Sequence, residues 1–259
     1  MFETILYKKE KNAATITINR PDFGNAFSDA FYPEFVEAMD MANKDEEVRA
    51  IILTGKGRFF SAGGDIQSFK EKIESKEGLS KEIVLGTGNL YHSIKKSAKP
   101  VIAAVNGAAA GAGAGVALAC DFIIMGKKTK IVPAFVNMAF PGDTLLILTL
   151  QRAIGPHATT RHLMLNEPIT AELAERYNLS YQTVEDNEIV SAAEELAGKL
   201  AELSPEALRK QKVLMRQDFY PIAEEFNQLE ADLMYESSLS DDHKEAVFAF
   251  LEKRNPNFK

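Results

Sequence analysis

Phe59-Phe60-Ser61-Ala62-Gly63-Gly64-Asp65-Ile66, read together with Asn106-Gly107-Ala108-Ala109-Ala110-Gly111-Ala112-Gly113-Ala114-Gly115 further along, decides how this chain is understood. Each small-residue turn follows an apolar run that reads as a buried strand, Ala50-Ile51-Ile52-Leu53 for the first and Val101-Ile102-Ala103-Ala104-Val105 for the second. Each also leads into a predicted helix. A strand that ends in small residues and opens a helix leaves backbone N–H groups free, with nothing bulky to shield them. Two such turns side by side can aim two donors at one oxygen, which makes an oxyanion hole. Either turn alone is open to a plainer reading, since small residues also let strand and helix pack closely.

Outward from these turns the pattern is of alternating strands and helices. Ala13–Ile18 alternates with period two, as a half-buried strand does. Ser28 is a candidate N-cap for a helix with Phe31, Phe35, Ala38, Met39 and Ala42 on one face, with Pro33 tolerable only near its start. Val48–Thr54 and Val101–Val105 are predicted strands, followed by a helix over Gly111–Ala119 and a strand over Phe122–Met125. The stretch from Gln67 to Lys99 is polar and Gly-punctuated, and reads as a mobile flap plus helix beside a pocket. After Pro141-Gly142-Asp143 a helix is expected through Leu150 to Ile154. Further helices are expected at Ala158–Leu165, Ala171–Tyr177, Ile189–Glu202, Ala207–Phe219, Ile222–Ser237 and Asp242–Arg254, with a short strand at Tyr181–Val184. Repeated β-α units imply an α/β fold with a largely parallel sheet and right-handed crossovers.

Bulk properties exclude several classes. A chain of 259 residues can bury one full α/β core. A net charge of −7 without a basic run argues against a nucleic-acid binder, and an anionic ligand would need a local basic cluster. The single cysteine, Cys120, rules out an intramolecular disulfide and reads as a small buried residue. No run of about 18 apolar residues suggests a membrane span and the acidic start is unlike a signal peptide, so the expected location is the cytoplasm. The histidines show no metal spacing, and His157 and His162 read as surface or structural. Neither a dinucleotide fingerprint, a P-loop nor a nucleophile elbow is present.

The chain resembles the enoyl-CoA hydratase/isomerase (crotonase) superfamily from end to end. The resemblance rests on Asn19-Arg20-Pro21 with Asn25-Ala26-Phe27, on the first turn, and on Lys99-Pro100 leading through Val105 to Asn106-Gly107. Ala119-Cys120-Asp121-Phe122 and Ala249-Phe250-Leu251-Glu252-Lys253-Arg254 complete it. Ala134-Phe135-Val136 and Arg152-Ala153-Ile154-Gly155 are similar to the bacterial enoyl-thioester isomerases of that family. The resemblance implies a crotonase-like spiral of ββα repeats over residues 1–200 and a helical trimerisation region over 201–259. It implies an acyl-CoA or acyl-ACP thioester as partner, a homotrimer or homohexamer, and no cofactor beyond the CoA of the substrate.

By the same resemblance the oxyanion donors are the N–H groups of Gly64 and Ala112, and the Ala62 carbonyl meets the adenine. Ala26, Asp65, Ile66, Gly111, Phe135 and Phe140 are further expected contacts. Lys56, Arg58, Lys70 and Lys72 are candidate partners of the CoA phosphates, and Phe250 and Lys253 are expected to reach the CoA of a neighbouring subunit. Family hydratases use two carboxylates, at positions held here by Gly115 and Phe135, so ordinary water addition loses its machinery. Asp143 stands where the isomerases carry their acid, and a single carboxylate above an enolate can move a proton between two carbons. Asp143 is also open to a reading as a helix cap, where the helix terminus would lower its pKa while an apolar pocket would raise it. Glu71, Glu74 and Glu77 are the fallback bases. Gly142 and Leu145-Leu146 depart from the family pattern, with the expectation that the leucines narrow the pocket or shift Asp143. The alternatives to an isomerase are an atypical hydratase and a non-catalytic acyl-CoA-binding protein.

Overall fold

The computed structural model describes residues 2–217 and 220–258. Its strands are β1 (Ile5–Glu10), β2 (Ala13–Ile18), β3 (Ala50–Gly55), β4 (Val101–Val105), β5 (Ala108–Ala110), β6 (Phe122–Gly126), β7 (Lys130–Val132), β8 (Ile169–Thr170) and β9 (Gln182–Val184). The main sheet has the order β1-β2-β3-β4-β6-β9, with β1 antiparallel to β2 and every later pairing parallel. β3 and β4 are buried along their whole length, as parallel strands covered on both faces must be. Ile51, Leu53, Val101 and Ala103 face the main core, while Ile52, Ile102 and Ile124 face a second apolar layer closed by Ile189, Ala193 and Leu196.

The chain climbs as a spiral. After β4 and again after β6 it crosses to a second, smaller ladder in which β5 pairs with β7 and β7 with β8. Isolated parallel bridges, Phe27 to Gly64 and Ser61 to Ala109, carry that ladder back toward the earlier turns. The helices are α1 (Phe31–Lys44), α2 (Ile66–Glu74), α3 (Lys81–Lys96), α4 (Ala112–Ala119), α5 (Leu146–Ile154), α6 (Pro156–Met164), α7 (Ala171–Arg176), α8 (Ile189–Ala201), α9 (Pro205–Gln217), α10 (Tyr220–Ser238) and α11 (Asp241–Leu251).

Most expected elements stand within a few residues of their predicted bounds, and the expected end of α9 at Phe219 lies outside the described residues. α1 buries the five predicted residues on one face, but it starts at Phe31 without a side-chain cap, and Ser28 contributes only its carbonyl to the Phe31 N–H. The polar stretch after Gln67 forms α2 and α3, and α3 buries Val84, Thr87, Leu90, Tyr91 and Ile94 at helical spacing. Cys120 is buried, as expected. His162 is fully buried between the Glu167 carbonyl and the Tyr177 hydroxyl, a structural role. Among the described residues no helix is long and apolar enough to cross a membrane.

Candidate active site

Two asparagines build the first turn. The Asn106 side chain accepts from the Gly55 N–H (3.0 Å) and donates to the carbonyls of Gly55 (2.8 Å) and Gly57 (2.9 Å). Asn25 donates to the carbonyls of Lys56 and Phe59, and the Ser61 hydroxyl donates to the Asn25 carbonyl. The second turn is locked onto the first, for the Ala110 N–H donates to the Ser61 carbonyl (2.8 Å) and the Ser61 N–H to that of Ala108. Gly63 has φ +88°, and a Cβ there would lie 2.7 Å from the Ala110 oxygen and 3.2 Å from the Ala112 nitrogen. Only glycine permits both the conformation and the approach. The Gly63 carbonyl is taken by the Phe27 N–H, and Gly64 and Ala112 follow on adjoining turns.

Gly64 and Ala112 line one pocket together with Ala62, Ile66, Gly111, Phe135, Phe140 and Asp143. Ala26 and Asp65 do not line it. Arg20 joins them from behind, donating to the Ala26 carbonyl (2.6 Å) and pairing with Asp65 (2.9 Å), while Asp65 caps α2 through the Gln67 N–H. Phe250, which is 57% exposed, and Lys253 do not line the pocket of their own chain. Glu71, Glu74 and Glu77 also stand outside its lining, and Glu74 pairs with Lys70. The sequence reading missed the apolar wall: Tyr32 from α1, Phe69 from α2, Ile83, Val84 and Thr87 from α3, and Met234 from α10. His243 was missed as well. It stacks on Phe140 at 4.1 Å, bonds the Met138 carbonyl, and so backs that wall.

Asp143 is 6% exposed and sits in an unusual loop. Gly142 has φ +142°, which a proline, fixed near −65°, cannot adopt. Thr144 (φ +58°) and Leu145 (φ +50°) are consecutive left-handed residues, a conformation costing each about 1–3 kcal/mol unless the surroundings enforce it. Gly115 leaves room for this conformation, since a Cβ there would lie 2.6 Å from Thr144 Cβ. The Thr144 side chain thus fills the space above position 115 and turns its hydroxyl to donate to Asp143 Oδ1 (2.6 Å). Leu145 and Leu146 are fully buried and absent from the pocket lining, so they do not narrow it. The cap reading of Asp143 falls too, because α5 begins at Leu146 with no side-chain cap. Gly115→Glu is accordingly expected to lower stability by about 1–3 kcal/mol through overpacking, with no gain of water addition. Thermal melting and a hydration assay check both.

Burial raises the Asp143 pKa to about 6, the Thr144 hydrogen bond opposing the shift. The apolar surroundings set the direction of the shift. Glu230 of α10 is 4% exposed, and burial together with the Asp143 charge pushes its carboxyl up to about 9. At neutral pH the two acids divide their roles, Asp143 charged and Glu230 neutral. Burial and the charges of Asp143, Asp29 and Asp65 keep the Tyr32 phenol protonated, and burial holds His243 below its usual pKa.

This spiral is the crotonase fold. It superposes with a TM-score of 0.90 on the crystal structure of an enoyl-CoA hydratase from Mycobacterium avium subsp. paratuberculosis, at 25% identity and over 100% of both chains. The chain belongs to the enoyl-CoA hydratase/isomerase family, whose sequence profile matches residues 8–259, and is an enzyme of that family. It is 31% identical to a trans-2-decenoyl-[acyl-carrier-protein] isomerase of Streptococcus mutans, over 99% of this chain and 98% of that protein. It is 32% identical to a 1,2-epoxyphenylacetyl-CoA isomerase of Escherichia coli, over 100% of this chain and 99% of the relative.

Proposed function

We propose that this chain is an enoyl-thioester isomerase that shifts a C=C bond between positions 3 and 2 of an acyl-CoA or acyl-ACP. One observation carries the reading: among the described residues Asp143 is the one carboxylate lining a pocket that also holds Gly64 and Ala112. Asp143 as carboxylate takes a proton from C2, charge moves onto the thioester oxygen, and the N–H groups of Gly64 and Ala112 hold that oxyanion. The protonated Asp143 then returns the proton to C4. Nothing is gained or lost, so neither bound water nor a cofactor is required. The apolar wall from Tyr32 to Met234 suits an acyl chain, and the names of the Streptococcus and Escherichia relatives support an isomerase.

A hydratase is the second reading, favoured by relatives named as enoyl-CoA hydratases. Incubating the pure protein with 2-enoyl and 3-enoyl thioesters on CoA and on acyl carrier protein separates the two. An isomerase interconverts substrates at constant mass, and gain of one water by the product overturns the proposal. Because the base acts as carboxylate, kcat/KM for isomerisation should fall below pH 6 and level off above it. A midpoint near pH 4 would remove the buried acid from the mechanism.

Lys56, Arg58, Lys70 and Lys72 remain the proposed carrier-binding residues, and Phe250 and Lys253 a proposed contact to a neighbouring subunit. A homotrimer or a dimer of trimers in the cytoplasm is the expected form. Exposed Ile222, Leu229 and Leu233 on α10 support association. Light scattering that finds a stable monomer at micromolar concentration removes it.

A further inference from the structure

Glu230 is placed where a buried carboxyl needs a reason. Its Oε2 accepts the Leu145 N–H at 3.1 Å, across a sequence separation of 85 residues. Its Oε1 is buried without a hydrogen-bond partner among the described residues. The side chain does not line the pocket, whereas Met234, one turn further along α10, does. One turn earlier, Asn227 packs closely on α3, since a Cβ on Gly88 would lie 2.3 Å from its amide. The close approach of the two helices goes with Glu230 standing behind the Asp143 loop, its carboxyl on the Leu145 N–H. Leu145 is the residue just before α5 and offers no side-chain cap, so its N–H is one of the helix-end donors that must find an acceptor.

We propose that Glu230 is a positioning residue, which pins the left-handed Thr144–Leu145 backbone through the Leu145 N–H and thereby sets where the Asp143 carboxylate stands relative to Gly64 and Ala112. The inference rests on Asp143 as the proton shuttle. Two left-handed residues in succession persist only where their surroundings over-determine them. Thr144 is seated over Gly115 on one side, and Glu230 supplies the hold on the other. The neutral state of the Glu230 carboxyl suits this task. It accepts from Leu145 without setting a second full charge beside Asp143.

The test compares Glu230→Gln with Glu230→Met. Gln keeps the length and an acceptor oxygen but cannot transfer a carboxyl proton. Met keeps the length and loses the acceptor, leaving the Leu145 N–H unpaired at a cost of about 1–3 kcal/mol while removing the desolvation cost of a buried carboxyl. Expected are Gln kinetics within about threefold of wild type and a kcat about 10²-fold lower for Met at nearly unchanged KM, the cost of a misplaced reacting group. Wild-type kcat in Glu230→Met overturns the inference. So does a Gln variant as slow as Met, which would make Glu230 a proton donor, and so does a Met variant that fails to fold, which would make it a structural support. Crystal structures of both variants read the inference apart from turnover. Asp143 should stay within about 0.5 Å of its place in Gln and move by about 1 Å in Met. Wild-type protein that adds water instead of isomerising sinks the functional reading, while the position of Asp143 in the two variants still decides the role of Glu230.

Discussion

Asp143→Asn should slow isomerisation by about 10²–10⁴-fold while making the protein more stable at neutral pH. Asn fills the same volume, and its Oδ1 accepts the Thr144 hydroxyl as the carboxylate does. It cannot take a proton from carbon, and thioester binding should change little because the proposed oxyanion donors are backbone groups. The stability gain follows from the raised pKa. Folding lifts the Asp143 pKa from 3.8 to about 6, so between these values the folded chain binds more protons than the unfolded one. Wild-type stability therefore falls as pH rises through that window, and above it the buried charge costs about 2–3 kcal/mol. Asn carries no such cost. Its melting temperature should exceed wild type by several degrees at pH 8 and by almost nothing at pH 4. Near-normal turnover sinks the mechanism. An offset that is the same at both pH values sinks the account of Asp143 as a strained buried charge.

Gly107→Ala should cost at least about 3 kcal/mol and reduce turnover by about 10²-fold or more. A Cβ at position 107 would lie 2.0 Å from the Arg58 oxygen and 2.8 Å from Phe59 Cα, both backbone atoms of the first turn. Neither can swing aside as a side-chain tip would, so the two turns must part. Parting them separates Gly64 from Ala112. Gly86→Ala is the control, since nothing lies within 4 Å of a Cβ there. In the body of α3 that change should be neutral or add about 0.5–1 kcal/mol. Equal melting temperatures and equal rates for the two variants would show that the close approach of the turns is dispensable.

The strands and helices that carry the spiral were legible because their signals are local. β3 and β4 are short apolar runs closed by glycine, and α1 repeats its five buried residues at helical spacing. β1 escaped because it is an edge strand reading ILYKKE, with charge where an interior strand would be apolar. β5, β7 and β8 span two or three residues each, too short for any period to register. At the candidate site, the backbone turns were visible as motifs, and Asp143 stands out only through the family resemblance. The stretch that holds α3 reads as a flap plus helix beside the pocket, but its lining residues were not legible, because they stand among so many polar ones. Glu230 and His243 were invisible for another reason. Each works through a contact with a residue far off in the chain, and nothing beside either in the sequence marks it.

The seat of Thr144 over Gly115 has a consequence for how such an enzyme changes over evolutionary time. An acid at position 115 and this loop compete for one volume, so neither can be sampled while the other is in place. On the proposed reading, an exchange of proton shuttling for water addition therefore requires position 115 and this loop to change together. The loop must first retreat, which surrenders the Thr144 bond to Asp143, before a side chain at 115 has anywhere to go. Reversal is thus guarded by an order of events, and homologues with the two arrangements should be separated by coupled replacements at 115 and 144.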